Sequence, residues 1–118
     1  MILVDTSVWI DHFRTGIPDL ENSLESFDIL IHPLVIGELA CGNLKNRREI
    51  LELLHALPSV RQLEDNEILY FIDKHSLSGK GLGLVDIHLL ASSYLEVCSL
   101  WTLDKRLYTV SGKLSRDK

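Results

Sequence analysis

The sequence predicts an α/β fold: a three-layer α/β/α sandwich with a central parallel sheet. Three observations carry this prediction. Short runs at residues 2–4, 27–32 and 98–103 are continuously apolar or nearly so, as in strands covered by helices on both faces. The stretches between them repeat apolar residues at helical spacing. Asp5 and Asp104 follow the first and last runs, at the carboxyl ends of strands where ligands bind in such folds.

Ile2-Leu3-Val4 is the first strand, and Asp5-Thr6-Ser7 opens a helix over about residues 6–13. Gly16 and Pro18 break it, and a second short helix covers about residues 19–26. Phe27–His32 is the next strand. Pro33 suits the first turn of a helix, and the helix through residues 34–44 carries Glu38. Ile50, Leu53, Leu54 and Leu57 stand at i, i+3, i+4 and i+7 of the next helix, which Pro58 ends. Val60–Leu63 reads as a short strand, and Ile68, Phe71, Ile72 and His75 mark another helix face. Ser78–Gly83 is a glycine-rich loop. Leu84–Glu96 is a helix that turns Ile87, Leu90, Ala91, Tyr94 and Leu95 to the core. Cys98–Leu103 is the last strand, Asp104 starts a helix to about Val110, and Ser111–Lys118 is a polar, basic tail that frays.

The 118 residues fit one domain, 1–118, with 46% hydrophobic and 25% charged residues. Those values exclude disorder as the main state. No apolar run reaches the ~20 residues of a membrane span, and the first residues lack the basic start and long apolar stretch of a signal peptide. Cys41 and Cys98 are far apart and form neither a disulfide framework nor a paired-cysteine zinc site. They read as two buried thiols in a reducing cytoplasm.

Net charge is −5, which argues against nucleic-acid binding until the positions of the acids are considered. Asp5 directly follows the first strand and Asp104 the last. Parallel strands present their carboxyl ends together, so these two acids meet. Asp86 lies in the first turn of its helix after the glycine loop, and Glu38 lies one to two turns into its own. All four line one crevice in this arrangement. Each also has a structural reading: Asp5 and Asp104 as N-caps, Asp86 as a charge at a helix's positive end, and Glu38 as a solvated helix residue. Converging carboxylates repel, by about 4 kcal/mol per pair at ~4 Å and an effective dielectric of ~20. Such a cluster takes up protons or binds a cation. Oxygen donors without sulfur select Mg²⁺ or Mn²⁺, an ion that activates water and neutralises charge developing on a phosphate. Setting these four aside leaves 13 of the 17 acids against 12 basic residues. The bases form groups: Lys45, Arg47 and Arg48; Lys74 and Lys80; Lys105 and Arg106; Lys113, Arg116 and Lys118. Groups beside the crevice can hold a nucleic-acid backbone; read singly, each is a solvated helix face or a basic tail.

At these residues the sequence resembles the PIN-domain ribonucleases, and more narrowly the VapC toxins of bacterial and archaeal toxin–antitoxin pairs. The resemblance runs through MILVDTSVWIDHF, VIGELACG, GLGLVDIHLLASSYL and LWTLDKRL, in order along nearly the whole chain. It implies a PIN-like fold and cleavage of single-stranded or looped RNA with Mg²⁺ or Mn²⁺, leaving a 5′-phosphate. Asp5, Glu38, Asp86 and Asp104 match the family's catalytic acids. The resemblance assigns Asp5 and Asp86 to the metal with Asp104 close by, and Glu38 to the orientation of water or of a second ion. Ser7 and Thr102 match small hydroxyl positions that support the carboxylates. It further implies a homodimer and an antitoxin whose C-terminal segment lies in an apolar groove. Trp9, Phe13, Leu20 and Leu24 are candidates for that groove, and equally for core.

Other chemistries fit less well. A receiver domain wants two adjacent acids after its first strand, and Thr6 follows Asp5. An aspartate-nucleophile phosphatase wants a second aspartate where Ser7 stands. There is no Gly-x-Ser-x-Gly elbow and no P-loop. The five histidines lack metal-ligand spacing, and His88 points away from Asp86. The alternative to an enzyme is a catalytically silent PIN-like module that docks a protein or RNA partner.

Overall fold

The structure, a computed structural model, describes residues 1–117. Lys118, counted above in the basic tail, lies outside them. The elements in order are β1 (Ile2–Val4), α1 (Thr6–Thr15), α2 (Pro18–Glu25), β2 (Ile29–Leu30), α3 (Pro33–Cys41), α4 (Arg47–His55), α5 (Asp65–Lys74), α6 (Leu84–Leu95), β3 (Ser99–Trp101) and α7 (Lys105–Asp117). The strands form a parallel sheet in the order β2-β1-β3. Ile2 pairs with Ile29 and Ser99, and Leu3 with Leu30 and Leu100. The fold is thus an α/β sandwich around a parallel sheet.

Local chemistry fixes the helix ends. Asp5 caps α1, and Gly16 closes it at φ 76°, a conformation glycine adopts without a side-chain clash. Pro18 and Pro33 occupy first-turn positions of α2 and α3, where a missing N–H costs nothing. His32 caps α3 through Nδ1, which accepts from the Leu34 N–H at 2.9 Å. The core joins Leu3 and Val4 of β1 to Val8, Ile29, Val35, Leu90 and Leu107, all essentially inaccessible. Each such side chain contributes about 2 kcal/mol relative to exposure. Helix α6 is buried along its middle, from Ile87 through Ser93, as expected of a helix packed against α5, α7 and β3 at once.

Several elements differ from the sequence expectation. The second strand is shorter than residues 27–32, because Phe27 takes a left-handed conformation (φ 58°) and stands exposed. Val60–Leu63 forms no strand. Only Ser59 bridges to Ile31, through Ile31 N–H to Pro58 O and Val60 N–H to Ile31 O, both 3.0 Å. The last strand is Ser99–Trp101 rather than 98–103. The tail does not fray: α7 continues to Asp117, because Leu107, Val110 and Leu114 keep its inner face on the core. Leu95 faces solvent instead of the core. Cys41 is exposed and Cys98 half-buried, so the expectation of two buried thiols fails; both are free. Among the described residues no helix is long and apolar enough to cross a membrane.

Candidate active site

The central strand β1 delivers Asp5 to the carboxyl edge of the sheet. There the chain leaves toward α1 while β3 arrives on the other side, a topological switch point of the kind that forms ligand crevices. Asp5 is 6% exposed, and its carboxylate is held from three directions. Oδ1 accepts from the Thr6 N–H at 2.7 Å; Oδ2 accepts from the Ser7 hydroxyl at 2.8 Å and the Thr102 hydroxyl at 2.7 Å. Such bonds to an ionised group are stronger than neutral ones, so the charge is fixed in place.

The hydroxyls are tied to the last strand's exit. Thr102 Oγ1 accepts from the Asp104 N–H at 3.0 Å, and Ser7 Oγ accepts from the Leu103 N–H at 3.1 Å. Two short side chains therefore join the starts of α1 and α7. Asp104 caps α7, its Oδ1 accepting from the Leu107 N–H at 3.0 Å. Asp86 stands in the first turn of α6, and its Oδ2 accepts from the Gly83 N–H at 3.0 Å. Asp5 and Asp104 thus each cap a helix, which leaves both close enough to Asp86 for their charges to act on it.

Glu38 reaches the same place from α3, its Oε1 accepting from the Thr6 hydroxyl at 2.6 Å. The sequence reading missed Thr6. A hydroxyl beside the strand-end acid, in the first turn of the next helix, was the available signal. The four acids sense one another at Asp86. Burial pushes its carboxyl above the usual range, the Gly83 N–H pulls it back, and the charges of Asp5, Asp104 and Glu38 raise it further.

The donor set suits a hard divalent cation. Among the described residues no three of these side chains are drawn together as a ligating group, since Asp86 and Asp104 turn an oxygen back onto helix-start N–H groups. Mg²⁺ tolerates this, because it keeps several waters and needs only one or two carboxylates.

His88 turns away from Asp86, as expected, and meets His32 in the core with ring centroids 5.8 Å apart. His32 Nε2 and His88 Nδ1 are buried without hydrogen-bond partners. Burial, then the neighbouring His88, lowers the His32 pKa to about 4.

A groove of about 750 Å³ lies between α1 and the α3–α4 segment, with Ile10, Phe13, Leu39, Leu44 and Ile50 on its apolar wall and Arg14, Glu38, Lys45 and two asparagines among its lining. Of the groove candidates from sequence, Phe13 lines it. Trp9 and Leu20 are core, Leu24 packs against the core, and none of these three lines the groove.

The sequence profile of the PIN domain matches residues 2–113. The chain belongs to the PIN domain family. This PIN domain is similar to Ribonuclease VapC32 of Mycobacterium tuberculosis, both in strain CDC 1551 / Oshkosh and in strain ATCC 25618 / H37Rv. Identity to each is 44% over 108 residues, covering 91% of this chain and 87% of the relative.

Proposed function

We propose that this PIN domain is a Mg²⁺- or Mn²⁺-dependent endoribonuclease, the toxin of a VapC-type toxin–antitoxin pair, acting in the cytoplasm. The observation that carries this is the meeting of Asp5, Glu38, Asp86 and Asp104 in one electrostatic neighbourhood at the sheet's switch point. The resemblance to Ribonuclease VapC32 over 91% of the chain supports it.

Asp5, Asp86 and Asp104 would hold the ion. When bound, it lowers the pKa of coordinated water and neutralises charge developing on the phosphate. Asp5 is the fixed member, oriented by Thr6, Ser7 and Thr102. Asp86 and Asp104 each give one carboxylate oxygen to a helix-start N–H, and the other oxygen of each would be the one to take the ion. Glu38, steadied by Thr6, accepts the proton of the attacking water or aims that water. Water adds to phosphorus and the P–O3′ bond breaks, leaving a 5′-phosphate and a 3′-hydroxyl.

The groove beside Glu38 suits an apolar antitoxin segment that also covers the acids. A homodimer is supported by the exposed Tyr70 and Leu95, which share one surface depression of α5 and α6; sedimentation equilibrium reads it out.

The test is incubation of purified protein with a mixed cellular RNA pool in Mg²⁺, in Mn²⁺ and in chelator, beside Asp86→Asn. Discrete products that require metal and vanish in the variant are expected. RNA binding without cleavage or metal binding would instead establish the silent module.

A further inference from the structure

A second cavity, of about 540 Å³, lies between the end of α5, the loop that follows it and the outer half of α7. Lys74 of α5, Lys80 of the loop and Lys113 of α7 all line it, with the hydroxyl residues Ser76 and Thr109 beside them. Among the described residues no acidic one lines it, in a chain whose net charge is −5. Among the described residues the ion pairs are Arg48–Glu52 and Arg61–Glu67, neither of which involves these lysines. Three lysines on one cavity wall make a surface that attracts anions.

The loop's shape is built in. Ser76, Gly79 and Gly81 all adopt positive φ, at 54°, 72° and 76°. Leu77 is buried, and its N–H donates to Ile72 O at 3.0 Å. Lys80 is therefore carried on an anchored, tightly wound segment. That segment also touches the acids' surroundings: a Cβ on Gly81 would stand 2.6 Å from Arg106 Nη1. Arg106 lies two residues after Asp104, and the loop itself ends on the helix that carries Asp86. Lys80 thus sits on the loop that abuts Arg106 at Gly81 and leads into the helix of Asp86.

We infer that this lysine-lined cavity holds the phosphodiester backbone of the substrate RNA on its way to the acids. The inference rests on the nuclease reading above and names the surface that positions its substrate. Lysines act as mobile point charges and suit a flexible single strand, where binding comes from phosphate neutralisation and counterion release.

The test is binding of a short labelled single-stranded RNA of random sequence, followed by anisotropy in chelator across a salt series. The proteins compared are the parent, the triple variant Lys74→Gln/Lys80→Gln/Lys113→Gln and the matching triple Lys→Arg variant. Each phosphate contact contributes about 0.7 to the slope of log K against log salt, so the triple Gln variant should lose about 2 from it. The Arg variant should recover it. In Mg²⁺ the Gln variant should raise KM for RNA cleavage while kcat holds. Lys80→Gln alone, losing about 0.7, guards against misfolding of the triple variant. A folded Gln variant with the parent's slope and KM overturns the inference and leaves the nuclease reading standing. A parent that neither binds nor cleaves RNA removes both.

Discussion

Thr102 works in two directions at once, donating to the Asp5 carboxylate and accepting from the Asp104 N–H. It is 7% exposed, so water cannot replace either bond. Thr102→Val keeps the shape and removes both. We predict a loss of about 2 kcal/mol in denaturant unfolding, with a fall in RNA cleavage, whereas Thr102→Ser should restore both. The buried imidazoles give a pH signature. His32 binds its proton with a pKa near 4 in the fold and near 6.5 when unfolded. Stability is therefore full above pH 6.5 and is lost as pH falls from there toward 4. Thermal or urea melts at pH 7.5 and pH 5 should differ by roughly 2 kcal/mol; equal stability would show that His32 is not held neutral. Asp5, Asp86 and Asp104 were legible in the sequence because each follows a strand or opens a helix; Glu38, inside α3, was legible only through the family resemblance and its packed neighbours. Thr6 and the His32–His88 contact were not, since both depend on side chains meeting across elements distant in the chain.

At the scale of elements, helix starts and catalytic edge are the same place. Asp104 caps α7 through Oδ1, and is proposed above to hold the ion through its other oxygen. Asp104→Ala should cost about 1 kcal/mol through the lost cap and also reduce cleavage. Asp104→Asn, whose carbonyl oxygen still caps, should keep the stability and lose cleavage. If both variants unfold equally, the cap reading of Asn fails. Helices were placed well from apolar spacing and from Pro18, Pro33 and Pro58, whose effects are local. Strand limits were placed less well. Phe27 and Val60 have strand-like side chains, but pairing depends on a partner that sequence does not display. The end of α7 was also misjudged: Leu114 continues the stripe of Leu107 and Val110, and polar neighbours hid it.

For the whole molecule, the Asp86 carboxylate is a strained charge, disfavoured first by burial and then by the nearby Asp5, Asp104 and Glu38. The Asp86 carboxyl is raised above its usual range, so its ionised form weakens the fold as pH rises past the unfolded value of 3.8. Asp86→Asn should therefore raise the melting temperature in chelator. Mg²⁺ should stabilise the parent by about 2.7 kcal/mol at a hundred times its Kd, and the variant by less. A melting temperature in the parent that ignores Mg²⁺ would argue against an ion at these acids. The parallel topology was legible because continuous apolar runs alternate with helices.

The meeting of Ile31 with Ser59 bears on solubility. A parallel sheet of three strands leaves β2 with an open flank, and an open flank is a template for a neighbouring molecule's backbone. Here the flank is occupied by one bridge, and the residue before that bridge is Pro58, which has no N–H to extend the ladder. The chain plugs its own edge with a segment too short to grow, a guard against edge-to-edge aggregation.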